Sequence, residues 1–242
     1  MKKQYEKNQL AFALLWIAVY CIVTIPIRGA CGDESPAMLL GLAVIAAGIL
    51  AFLKIFRLEE RYGLVKWRGR AGDYLYFLPM LLLMTGNLWG GVGMAYAGAA
   101  QVFAVLSMLL VGFIEEVLFR GFLFRALLER DPAPAAITIS AVTFGIGHIL
   151  NLLAGQGGLE SLIQVCFAIA WGFLFTLVFY KSGSLWVCIF VHGLVDVFAK
   201  FAAAESGSVS DYAYVAATIL VSIAYCIYLS RRPTALKAGS PQ

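Results

Sequence analysis

The sequence predicts an all-α protein, a polytopic transmembrane helical bundle of about eight spans with both termini cytoplasmic. Three observations lead there. Of the 242 residues, 62% are hydrophobic and 13% charged, with a mean hydropathy of +0.86; soluble domains carry ~45–50% apolar and ~25% charged residues. The apolar residues fall in runs close to the ~20 residues a helix needs to cross a ~30 Å hydrocarbon core. The basic residues fall mostly between those runs.

In chain order, the first run is Leu10–Ile27, behind Lys2, Lys3 and Lys7. It is longer than the apolar part of a secretory leader, and no small-x-small cleavage site follows closely, so a retained span is expected. The further spans are Pro36–Phe56, Tyr74–Met94, Ala99–Phe124, Ala133–Leu153, Leu159–Tyr180, Leu185–Phe201 and Tyr212–Ser230. Backbone in lipid must satisfy its own hydrogen bonds, which makes such runs helices. Glycines at 86, 90, 91, 93 and 98 favour an outer loop after the third run over the alternative, a re-entrant or interfacial piece. Asp131 and the prolines at 132 and 134 read as a cap and first turn for the fifth.

Loop charges set the orientation. With eight spans, 15 of the 18 Lys and Arg residues lie on one side, Arg28 and Lys200 on the other, and Arg120 within a span. The basic side is cytoplasmic, and an even span number follows. The net charge of +4 therefore reflects membrane topology rather than nucleic acid, and none is expected as a partner. None of the five cysteines forms a CxxC pair, and all but Cys31 lie in apolar runs, as small buried hydrophobes do. A multi-pass cell-membrane protein is expected, with one membrane-embedded domain over residues 1–242; nothing in the sequence fixes an oligomeric state.

Few ionisable residues lie at membrane depth: Glu115, Glu116, Arg120, His148, His192 and Asp196, including both histidines of the chain. Each charge at the centre of a membrane helix costs ~2.5–3.5 kcal/mol on insertion scales, so the cluster at Glu115–Arg120 requires a reason. Glu116 and Arg120 are four apart and share a helix face, as do His192 and Asp196. Glu115 is turned ~100° from Glu116, which leaves it freer to face a different neighbour. In Phe144-Gly145-Ile146-Gly147-His148, the two glycines leave room for close helix approach or a cavity.

At ~1.5 Å per residue, Glu115, His192 and His148 lie ~15, ~10–12 and ~20 Å from the cytoplasmic ends of their runs, so they can converge. Glu115, His148, His192 and Asp196 suit a divalent metal such as Zn2+ with a position open for water. Without metal, a glutamate and a histidine could activate water while the second histidine stabilises an oxyanion. Both schemes fit. Singly, Glu116–Arg120 reads as a structural ion pair and each histidine as an interhelical hydrogen-bonding residue. A proton relay could use the same six groups.

Glu115-Glu116-x-x-x-Arg120, Phe144-x-x-x-His148 and His192-x-x-x-Asp196 occur in the order of the three signature motifs of the CPBP family, the CAAX-protease and bacteriocin-processing membrane proteases, which include the Rce1-like endopeptidases. Lys181-Ser182-Gly183-Ser184-Leu185-Trp186 also resembles the turn that precedes the family's last motif. The resemblance covers residues 103–198. Many members have Asn at the position of Asp196. The resemblance implies an intramembrane endopeptidase in which Glu115 and His148 hold the attacking water or a metal ion. His192 and Asp196 would complete the site, Glu116 would assist, and Arg120 would orient the carboxylates. The substrate would be a membrane-associated or lipidated protein or peptide, entering between spans four, five and seven from the cytoplasmic side. The alternative is a non-catalytic bacteriocin-immunity or scaffold protein. A proton-coupled carrier fits less well, for no internal repeat is present.

Overall fold

The computed structural model describes residues 2–65, 77–155, 157–203, 207–232, 234 and 236. The chain forms α1 (Lys2–Lys7), α2 (Gln9–Cys31), α3 (Pro36–Ile55), α4 (Leu78–Leu83) and a 3-10 turn Gly86–Leu88. Then come α5 (Ala99–Glu116), a π-helical stretch Val117–Phe124, α6 (Arg125–Leu128), α7 (Ala133–Gly147) and a 3-10 segment His148–Ala154. The order ends with α8 (Gly158–Ser182), α9 (Trp186–Ala199) and α10 (Val209–Ser230).

Six helical runs are long and apolar enough to cross a membrane: Gln9–Cys31, Pro36–Ile55, Ala99–Leu128, Ala133–Leu153, Gly158–Ser182 and Val209–Ser230. The protein is a multi-pass membrane protein. The two other expected spans are shorter apolar pieces, Leu78–Leu88 and Trp186–Ala199. Helix α4 stops where the glycines begin, and their conformational freedom costs a helix ~1 kcal/mol each; the expected start of that span at Tyr74 lies outside the described residues. The glycine-rich stretch is a loop, as its composition predicts, and it is laced to the chain after α9. Gly93 N–H donates to the Phe201 carbonyl (2.9 Å) and Ala203 N–H to that of Gly91 (3.1 Å).

Helix starts follow the capping chemistry in three of the long spans, α10 among them, where Ser208 accepts from Asp211 N–H. Asn8 accepts from Ala11 N–H and Ser35 from Met38 N–H, the latter with Pro36 in the first turn. Asp131 does not cap α7: its N–H donates to Leu127 O at the end of α6, and Pro132 takes the cap position.

Loops expected on one side of the bilayer meet at one end of the bundle. There Arg61 donates to Gln9 and pairs with Glu129, Tyr62 donates to Tyr5, and Leu185 N–H donates to Gly63 O. Lys181 at the same end donates to the Arg232 carbonyl (2.7 Å). At the opposite end Asp33 joins Arg28 (2.8 Å) and Lys200 (3.0 Å), and Arg28 reaches Asn151 (3.0 Å). Apolar side chains such as Ile22, Leu40, Leu82 and Leu220 are exposed around the outside, the surface a lipid solvent calls for.

Two helix crossings place the central residues, α5 against α9 and α7 against α8. At the first, Gly112 faces Gly193; a Cβ on Gly112 would lie 2.6 Å from the Gly193 nitrogen. At the second, a Cβ on Gly172 would lie 2.8 Å from the Ala141 carbonyl oxygen. Small residues at such crossings let helix backbones approach closely in lipid.

Candidate active site

Glu115 and Glu116 are the last residues of α5, and the π-helical stretch begins with Val117. Such segments are uncommon and recur at functional sites. This one is fixed from α7, whose Ser140 hydroxyl donates to the Phe119 carbonyl (3.0 Å). Phe119 also meets Phe144 edge to face at 5.1 Å. The helix bearing the two glutamates is thereby tied to the helix that ends at His148.

The neighbouring carboxylates have different surroundings. Glu116 and Arg120 are fully buried, and Arg120 Nη1 donates to Glu116 Oε1 (2.8 Å). The same oxygen accepts from His192 Nδ1 at 2.7 Å. The Arg120 guanidinium lies over the Phe144 ring, 4.0 Å from its centroid. Glu115 instead lines a cavity of about 330 Å3, together with His148, Asp196, Phe119, Phe144 and Gly147. Its Oε1 accepts from the Tyr20 hydroxyl (2.7 Å), and its Oε2 lies 3.6 Å from His192 Nε2. That nitrogen is also 3.5 Å from Asp196 Oδ2.

His192 is held on both faces. Phe175 stacks on it at 5.6 Å, and the edge of Phe144 approaches at 5.7 Å. Its Nδ1 faces a carboxylate, which only accepts, so the proton sits there and Nε2 is turned towards Glu115 and Asp196. His148 bonds through Nδ1 to the Phe144 carbonyl (3.1 Å), which likewise places its proton on Nδ1 and leaves Nε2 for the cavity. A smaller cavity of about 60 Å3 touches both histidines and Asp196. A third, of about 620 Å3 between α8, α9 and α10, shares Gln164, Asp196 and Ala199 with the first. Gly145 and Gly147 divide the roles open to them. A Cβ on Gly145 would lie 2.9 Å from Ile169 N, whereas Gly147 has open space around it and lines the cavity.

All six ionisable residues singled out in the sequence thus gather around His192 and the cavity. Tyr20, Arg28, Asp33 and Lys200 also line that cavity, although the sequence marks Arg28 and Lys200 only as loop charges and places Tyr20 only within the first span. The cavity runs from Glu115 towards Arg28, Asp33 and Lys200, away from the basic loops.

The residues expected to hold Zn2+ do not form a ligand shell. Among the described residues, no group of three or more His, Cys, Asp or Glu side chains is arranged to hold a metal ion. His192 commits Nδ1 to Glu116, and its Nε2 stays about 3.5 Å from the nearest carboxylate oxygens of Glu115 and Asp196. Zn–N and Zn–O bonds are ~2.0–2.2 Å.

Residues 97–198 match the family model of the type II CAAX prenyl endopeptidase Rce1-like proteins. A Bacillus subtilis (strain 168) protein, YdiL, named for an inferred membrane-peptidase role, is 29% identical over 100 residues. That match covers 41% of this chain and 36% of the relative, so the chain aligns with about a third of that protein's length. No solved structure matches the chain. Residues 97–198, which hold all three motifs, are thus similar to the Rce1-like membrane endopeptidases, and the likeness is confined to that part of the chain.

Proposed function

We propose that the protein is a membrane-embedded endopeptidase that hydrolyses a peptide bond of a membrane-associated or lipidated protein or peptide, with Glu115 as the base. The observation that carries this reading is the division of the acidic pair: Glu115 lines the cavity with His148, while Glu116 is sealed behind His192. A water between Glu115 and His148 gives its proton to Glu115 Oε2 as its oxygen attacks the carbonyl carbon. With a second proton on Nε2, His192 donates to the oxyanion that develops, in a pocket walled by Phe144 and Phe175. The C–N bond then breaks as Glu115 returns the proton to the leaving amine. Asp196 stands beside His192 and keeps Nε2 aimed into the site.

Zinc held by Glu115, His148, His192 and Asp196 would require these side chains to draw into one shell. Titrating Zn2+ into the purified protein, with the Glu115→Gln variant as control, tests for such a shell by the heat of binding.

Glu115→Gln keeps size and hydrogen bonding while removing the base, so it is expected to abolish cleavage and leave expression and thermal stability near wild type. Comparing the proteomes of membranes carrying wild type, Glu115→Gln or neither reads this out. New carboxy-terminal fragments with the wild type alone support the endopeptidase. Equal effects of wild type and Glu115→Gln would instead establish the non-catalytic immunity or scaffold role.

A further inference from the structure

The working carboxylate has a partner outside the matched region. Tyr20 sits on α2, and its hydroxyl donates to Glu115 Oε1 at 2.7 Å across 95 positions of sequence. Most of α2 faces outward; Phe12, Ala13, Tyr20 and Thr24 are its buried residues. Tyr20 is 7% exposed and lines the cavity. Thr24 bonds back to the Tyr20 carbonyl (2.7 Å), fixing the backbone at this turn. A tyrosine that only filled space could turn its hydroxyl to a backbone carbonyl. This one ends on Glu115 Oε1, while Oε2 lies 3.6 Å from His192 Nε2.

We propose that Tyr20 is a positioning residue for catalysis, acting through Glu115. This rests on the reading of Glu115 as the base. A carboxylate on a long side chain can rotate about its last torsion and offer either oxygen. By occupying Oε1, the Tyr20 hydroxyl fixes that torsion and presents Oε2 to the cavity and His192. A misplacement of ~1 Å in such a group can cost ~100-fold in rate, so losing the hydroxyl lowers turnover. Substrate binding is untouched, because the hydroxyl is occupied by the enzyme's own carboxylate.

Tyr20→Phe in the full chain removes one oxygen and keeps the ring. The rate assay uses a quenched-fluorescent apolar peptide in vesicles containing phosphatidylglycerol. The expected result is a fall in kcat of at least tenfold, with KM within twofold of wild type. An unchanged kcat, or a raised KM at constant kcat, overturns the proposal. A second measurement needs no turnover: the infrared carboxylate band of Glu115, identified by its loss in Glu115→Gln, should shift in Tyr20→Phe. An unmoved band overturns the contact itself. A shifted band, in a protein whose wild type cleaves nothing, overturns the endopeptidase reading and with it the catalytic role of Tyr20. The contact alone would then survive.

Discussion

Glu116 and Arg120 show how a pair of charges is kept at membrane depth. Their direct contact leaves Glu116 Oε2 and Arg120 Nε and Nη2 without hydrogen-bond partners among the described residues, and the faces of Phe144 and Phe175 take up part of the guanidinium charge. Removing one member of a buried pair costs ~3–5 kcal/mol, because the other is left uncompensated. Arg120→Met should therefore lower the unfolding temperature in detergent sharply, whereas the double variant Glu116→Gln, Arg120→Met should recover part of the loss. Single and double variants of equal stability would argue against the pair as a structural unit. The six ionisable residues were legible in the sequence because each is expensive where it sits. Tyr20 was not: a tyrosine costs an apolar run little, and the chain has 11 of them.

Helix by helix, the spans could be read from run length, but their contacts could not. Hydropathy does not say which runs touch, so the Gly112–Gly193 crossing between α5 and α9 emerges only in three dimensions. It brings the end of α5 to His192, one residue before Gly193. A valine at Gly112 would force the backbones apart; overpacking of this kind costs ~1–3 kcal/mol. Gly112→Val is expected to lose both stability in detergent and cleavage. Gly147→Ala, which meets nothing within 4 Å, should keep its stability. The π-helical stretch was hidden for a similar reason. Val117 to Phe124 reads simply as the continuation of an apolar helical run with one glycine, and no local signal marks the wider turn.

Across the whole molecule, the cavity is bounded at one end by charged groups from three different places in the chain. Asp33 lies in the loop after α2. Burial alone would raise its carboxyl, but Arg28 and Lys200 outweigh burial and hold it below the ordinary carboxylate range. The stability this carboxylate contributes is complete above its unfolded value of ~3.9 and is lost as the pH falls through the lower folded value. Thermal unfolding of the wild type in detergent should therefore weaken below about pH 4 more steeply than that of Asp33→Asn. Parallel curves would show that the clamp adds nothing. Loop charge counting had put Arg28 and Lys200 on one side of the membrane, and they do share one end of the bundle. That they meet through Asp33 at the cavity was beyond any local pattern.

Helix α9 has only 14 residues, a rise of ~21 Å against a hydrocarbon thickness of ~30 Å. A bilayer beside so short an element thins, or lets headgroups and solvent dip inward. Trp186 and Phe190 expose their rings on its outer face, so part of that shortfall is presented to lipid. At the far end Lys200 joins Arg28 and Asp33 on the cavity wall. A shortfall of this kind beside a cavity that holds both these charges and Glu115 is the arrangement by which a hydrolysis inside a membrane would receive its second reactant, water.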